Sequence, residues 1–189
     1  MKKSISFWQV LIEFISVVFA VLLALGLNSY KQNKDLQDEA RLLSNKIIRE
    51  CERNMLELDT ALRQNMEFKL YVDSLRAAEE MPNSFDISIS SELMTRSAWD
   101  FTKASRSFSY LDESFLEEAA ALYERQDYYM HISNQLFQSL GNMIMSDPEP
   151  ENSLSVANYL IMNLNASAQN LQTNYQQFLK KYKSDSISN

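Results

Sequence analysis

The sequence predicts an all-α protein in which one N-terminal transmembrane helix leads into a long stalk helix that continues into an antiparallel bundle of about four helices. Three observations predict it. An uncharged apolar run lies near the start, only two glycines and three prolines occur in 189 residues, and apolar residues recur three or four positions apart through long stretches, the period of a helix with one buried face. Strand-like alternation is nearly absent. The expected divisions are a leader at 1–4, a transmembrane helix at 5–27, stalk and bundle at 28–182, and a disordered tail at 183–189. The stretch after the anchor has the length of one ordinary domain with its own core.

The anchor reads FISVVFAVLLALGL over residues 14–27 without a charge. Extended back to Ile5 it gives about 23 residues, enough for a hydrocarbon core about 30 Å thick. The competing reading is a cleaved signal peptide, since Lys2 and Lys3 make a basic start and Ala24-Leu25-Gly26 resembles a small-residue cleavage site. Gln9 and Glu13 inside the apolar run argue against cleavage. Lys2 and Lys3 on one side nearly balance Lys31, Lys34 and Arg41 on the other. The short leader and the acidic domain favour the N-terminus inside, which in a bacterium places the domain in the periplasm, outside the inner membrane.

Along the anchor, Ser6, Gln9, Glu13, Ser16, Ala20 and Ala24 follow one another by three or four residues and form one polar and small-residue stripe. A carboxylate turned toward lipid costs about 2.5 to 3.5 kcal/mol at a helix centre, whereas a second helix can hydrogen-bond it. The stripe therefore points to a membrane protein partner or to a homo-oligomer formed through the anchor. The plain alternative is that Glu13 reaches interfacial water, or Lys2 and Lys3, and stays unpaired.

Beyond Asn28, Leu36, Ala40, Leu43, Ile47, Cys51, Met55, Leu58, Leu62, Met66 and Leu70 keep to one helical face. The spacing predicts that the membrane helix runs straight on into a stalk ending near Met81-Pro82-Asn83. Its mean of about 3.7 to 3.8 suits a straight helix better than a left-handed supercoil. Residues 84–90 read as an extended linker. A second helix is predicted from Ser90 or Ser91, presenting Met94, Ala98, Phe101, Ser105 and Phe108. A third follows two capping-box patterns, Ser109 to Asp112 and Ser114 to Glu117, with Phe115, Ala119, Leu122, Gln126, Met130, Ser133, Phe137, Leu140 and Ile144 buried. It stops before Asp147-Pro148-Glu149-Pro150, because a proline removes an amide donor and clashes with the preceding turn. A fourth starts near Ser153 and buries Ala157, Leu160, Leu164, Ala168, Leu171, Tyr175, Phe178 and Tyr182, a bundle or coiled-coil face. No second apolar segment follows, so a single crossing is expected.

The formal charge of −7 is more negative still outside the anchor, which argues against nucleic acid as a partner. One cysteine, Cys51, and one histidine, His131, exclude an intrachain disulfide and the usual zinc frameworks. No Gly-rich phosphate loop, nucleophile elbow or histidine-bearing triad can be assembled. The sequence predicts no catalysis, no metal and no cofactor. Trp99, Phe101, Tyr110 and Tyr123 gather around the second and third helices; they read either as core filling, with tyrosine hydroxyls at its rim, or as the lining of a pocket for a small apolar ligand.

Glu13 early in the anchor, the run LLALGLNSYKQN over residues 22–33, Ala98-Trp99, Tyr110-Leu111 and Leu122-Tyr123-Glu124-Arg125-Gln126 together resemble the uncharacterised families of small single-pass bacterial membrane proteins. The resemblance implies an inner-membrane protein with a helical extramembrane domain, and implies no activity or ligand. Residues and resemblance together lead to three expectations. The leading one is a membrane-anchored helical scaffold or accessory subunit of a membrane complex. The others are an extracytoplasmic small-ligand sensor bundle, and a proton-coupled accessory subunit using Glu13.

Overall fold

The computed structural model of the chain describes residues 7–77, 94–146 and 150–187. These are all-helical: α1 (Phe7–Ala77), α2 (Ser97–Ala104), the short 3-10 helix η1 (Arg106–Tyr110), α3 (Glu113–Met145) and α4 (Pro150–Ile187). α4 packs along both α1 and α3, while α2 and η1 lie on α1. Cross-helix pairs set the directions. Arg76 meets Ser155 at 3.3 Å, Asp59 meets Gln172, and Glu52 pairs with Lys183 at 2.6 Å, so α4 runs antiparallel to α1. Lys181 with Glu118 and Asn174 with Arg125 make α4 antiparallel to α3 as well.

The apolar N-terminal segment and the expected stalk are one unbroken helix of 71 residues, about 107 Å long at 1.5 Å per residue. Its buried row differs from the expected one. Ala40, Leu43, Ile47, Cys51, Asn54, Leu58, Ala61, Asn65, Phe68 and Val72 face the bundle, a mean spacing of about 3.6 that follows the helix period itself. Met66 and Leu70 are exposed instead, because following apolar residues alone steps around the two asparagines and drifts off the face. The main core gathers Ile47, Leu58, Trp99, Leu122, Tyr123, Leu171 and Tyr175 with their neighbours. A smaller cluster of Phe68, Val72, Leu154 and Ile161 closes the far end.

The second helix is shorter and later than its periodicity suggested. Met94 to Arg96 are not helical, because Thr95 spends both backbone polar groups on α1: its N–H donates to Asn54 Oδ1 (3.0 Å) and its carbonyl accepts from Asn54 Nδ2 (2.7 Å). Trp99 and Thr102 are the buried residues of α2, whereas Phe101 points outward. α2 and η1 then descend along α1. Ser107 Oγ donates to Glu39 at 2.5 Å and Tyr110 Oη to Asn33 at 2.9 Å. The cap of α3 is Asp112, whose Oδ1 accepts from Phe115 N–H at 2.9 Å, not either predicted serine. Ser109 lies inside η1, and Ser114 directs its hydroxyl to Tyr182 and Lys181.

The third and fourth helices follow expectation closely. α3 buries Phe115, Ala119, Leu122, Gln126, Ser133 and Leu140, with Tyr123 and Tyr129 added, and α4 buries every expected position from Ala157 to Phe178. Pro150 opens α4, where a missing amide donor is harmless. α4 continues to Ile187, through most of the stretch expected to be disordered, and Lys183 is held by Glu52. The expected leader at 1–4, the turn at Met81-Pro82-Asn83 and the linker at 84–90 lie outside the described residues.

Candidate functional site

The N-terminal part of α1 is long and apolar enough to cross a membrane, and none of its apolar window is buried by the rest of the chain. Of the stripe, Ser6 lies outside the described residues and Gln9 is placed by its backbone in α1. Glu13, Ser16, Ala20 and Ala24 are exposed. Ser16 Oγ donates to the Ile12 carbonyl at 2.8 Å, which satisfies the hydroxyl within its own helix and leaves Glu13 as the stripe's charged group. At 100° per residue the stripe points about 190° away from the Ala40–Val72 row. A helix paired with it would therefore stand on the outer side of α1, away from the bundle.

The densest polar chemistry lies in the core. Glu50 is buried on α1, yet among the described residues no cation pairs with it. Its carboxylate accepts from Tyr123 Oη at 2.6 Å, Ser97 Oγ at 2.9 Å, the Ala98 N–H at 2.9 Å and Thr95 Oγ1 at 3.3 Å. Arg96, which precedes α2, gives no side-chain cap. Glu50 thus does from another helix what a capping side chain does locally: it satisfies a free first-turn amide with a negative charge at the positive helix end. Burial alone would raise this carboxyl, but the bonds from Ala98, Tyr123 and Ser97 outweigh it and hold it below its ordinary value.

One turn further along α1, Asn54 Nδ2 also reaches Gln126 Oε1 at 3.2 Å and Tyr175 Oη at 3.3 Å. Tyr175 Oη donates to Gln126 Oε1 at 2.5 Å, and Gln126 Nε2 donates to the Thr95 carbonyl at 3.2 Å. Cys51 Sγ donates to Tyr123 Oη at 3.9 Å. Burial pushes the Cys51 thiol up to about 12 and both phenols above their ordinary range. Thiol and phenols are therefore neutral around an ionised Glu50. Nothing here is an activated nucleophile, since nucleophilicity needs the thiolate. The network ties α1, α3, α4 and the start of α2 together at one level of the bundle.

The structure places the four aromatic residues singled out from sequence in three different surroundings. Trp99 and Tyr123 are buried and stacked on each other, with centroids 5.4 Å apart and rings 11° from parallel. Phe101 is 57% exposed, with Lys46 Nζ 5.2 Å from its ring centroid, and lines a shallow groove of about 350 Å³ on the outer side of α1. Tyr110 borders a larger cleft of about 790 Å³ between α1, the start of α3 and the end of α4. Of the charges lining that cleft, Lys181 pairs with Glu118 and Asp112 accepts from the Phe115 N–H, while Arg41 makes no ion pair among the described residues. His131 is exposed, and among the described residues no three of His, Cys, Asp and Glu gather as metal ligands would.

Sequence reading missed Glu50 and Asn54. The available signal was phase: continuing a 3.6-residue period from Ala40 lands on Asn54 and Asn65, and a polar residue in phase with a buried row must find partners. No protein-family model, no curated protein and no solved structure matches the chain.

Proposed function

We propose that this chain is a non-catalytic interaction or accessory subunit of a membrane complex: one α1 crossing anchors it in a bacterial inner membrane and presents the bundle on the periplasmic side. The observation that carries this reading is the unbroken α1. Its first 21 described residues, 7–27, extend beyond the bundle with apolar side chains outward, and the same helix becomes the spine of the core from Ala40. An apolar surface of that size is costly in water and matches the length of a bilayer crossing. The same placement is what the resemblance to single-pass inner-membrane families implies. Burial of the polar network favours a structural role for it, because the Glu50 carboxylate, although it borders the groove beside α2, is only 1% exposed and already accepts from four donors within the fold.

The partner reading rests on the stripe. A photoreactive residue in place of Ala20 should capture a membrane protein or a second copy of the chain in native membranes, and Glu13→Leu should abolish that adduct while leaving carbonate-resistant membrane attachment intact. Extraction by carbonate, or an adduct pattern indifferent to Glu13→Leu, would overturn the proposal.

A further inference from the structure

The outer side of α1 above the membrane carries a concentration of positive charge at odds with the domain around it. Lys46, Arg49 and Arg53 line the groove beside Phe101, at positions three and four apart on one side of the helix. Among the described residues Lys46 has only the Phe101 ring as a partner, and Arg49 and Arg53 make no ion pair. Among the described residues lining the groove the one carboxylate, Glu50, is saturated by four donors. Three exposed apolar side chains accompany the cations: Phe101, Leu42 at 63% and Leu56 at 62%. Cations framed by exposed apolar residues, in a chain of formal charge −7, make a surface complementary to acid.

We propose that this groove docks an acidic segment of the membrane partner, carboxylates toward Lys46, Arg49 and Arg53 and an apolar side chain against Phe101. The proposal rests on the interaction-subunit reading and names the chemistry of the partner. Two geometric facts select the occupant. Lys46 and Arg53 stand about 28 and 39 Å along the helix from Leu27, several Debye lengths of about 8 Å from a bilayer surface, so anionic lipid headgroups lie out of range. A lone phosphate does not gain the Ala98 N–H, which Glu50 holds, while a row spanning about 10 Å suits an extended or helical segment. Arg49 also follows Glu13 by 36 residues, ten turns at 3.6 per turn. Lys46 and Arg53 stand about 60° and 40° around the helix from Glu13 at 100° per residue, so the groove lies on the flank next to the stripe, and a partner paired with Glu13 in the membrane rises beside it.

The test uses the full chain in native membranes, with a photoreactive phenylalanine analogue at position 101 and the adduct mapped by mass spectrometry. The expected adduct is a peptide of net negative charge from a membrane-anchored protein. Its yield should fall about tenfold in the variant combining Lys46→Glu, Arg49→Glu and Arg53→Glu, fall similarly as salt is raised to about 0.5 M, and persist in Lys46→Arg, Arg49→Lys and Arg53→Lys. The salt series and the charge-conserving variants decide the matter if the reversal variant does not fold. An adduct with lipid, with a neutral or basic peptide or with a second copy of the chain, or a yield indifferent to charge and salt, overturns the inference. Capture at position 20 with none at position 101 overturns it while the interaction-subunit reading stands, and capture at neither position overturns both.

Discussion

Replacing Glu50 tests the central claim about the core, that a buried, ionised carboxylate organises it without a cation. Glu50→Ala removes the acceptor from the Tyr123 hydroxyl and the Ala98 N–H, while exposed Ser97 and Thr95 can turn to water. Each donor left buried and unpaired costs about 1 to 3 kcal/mol, so a loss of about 4 kcal/mol is expected. At about 2 to 4 °C per kcal/mol for a domain of this size, the melting temperature should fall by about 8 to 16 °C. Glu50→Gln keeps shape and one acceptor but loses the charge, for about 2 kcal/mol. Tyr123→Phe should cost a similar amount, and less in the Gln background, because a bond to a charged acceptor is stronger than one to an amide.

The pH dependence separates the ionised from the protonated state. The folded-state pKa of Glu50 lies below the ordinary 4.5, so its stabilisation is complete at neutral pH and is lost as pH falls below 4.5 through the lower folded value. Thermal melts of the full chain in detergent from pH 7 to pH 3 should show wild type and Glu50→Gln well apart at pH 7 and converging in acid. If Glu50→Gln matched or exceeded wild type at pH 7 and the acid slope were unchanged, the carboxyl would be protonated in the fold and the capping argument would fail.

The Cys51 thiol, raised to about 12, should label with iodoacetamide at pH 8 about a thousandfold more slowly than an ordinary thiol of pKa near 8.5, and at the ordinary rate once unfolded; fast labelling of the folded chain would contradict its burial. Asn54→Leu should cost about 2 kcal/mol, since it strands the Thr95 N–H and leaves the Thr95 carbonyl to Gln126 Nε2 and the Tyr175 hydroxyl to Gln126 Oε1. It should also release residues 94–96 to proteolysis before the rest of the bundle unfolds, so uniform resistance would show that Asn54 does not hold that segment.

Legibility in the sequence followed the type of residue doing the packing. α4 buries an unbroken series of apolar positions, so spacing located both its face and its start within a few residues. α3 was legible for the same reason, with Gln126 and Ser133 assigned to the buried side by phase alone. α1 showed its length but not its true face, because Asn54 and Asn65 hold in-phase positions where an apolar search finds nothing. α2 was least legible: its boundary is set by side chains 41 to 48 residues away on α1, a tertiary cap that no local pattern announces. The Glu13 stripe is linear, so its spacing can be read from sequence alone. The groove was not legible there, because Phe101 meets Lys46, Arg49 and Arg53 only after α2 has folded back.

The straps along α1 bear on how its apolar N-terminal segment and the bundle move together. α2 and η1 are fastened to α1 at Asn54, Glu50, Glu39 and Asn33, four points spread over about 30 Å of one helix. A tilt or rotation of α1 therefore carries these elements as a body, because separating them means breaking charge-assisted bonds at Glu50 and Glu39 worth about 1.5 to 3 kcal/mol each. The groove formed by Lys46, Arg49, Arg53 and Phe101 has one wall on α1 and the other on α2, so it keeps its shape while its height and azimuth follow the anchor. A partner that grips Glu13 would then find the three cations in fixed register, which makes docking a matter of matching the spacing between two points on one rod. Lengthening α1 by two residues between Leu27 and Asn33 would rotate the groove by about 200° relative to the stripe, and lengthening it by seven by about 20° modulo full turns. The seven-residue insertion should therefore keep the azimuth and lose only height, while the two-residue insertion should place the groove on the wrong side of the partner.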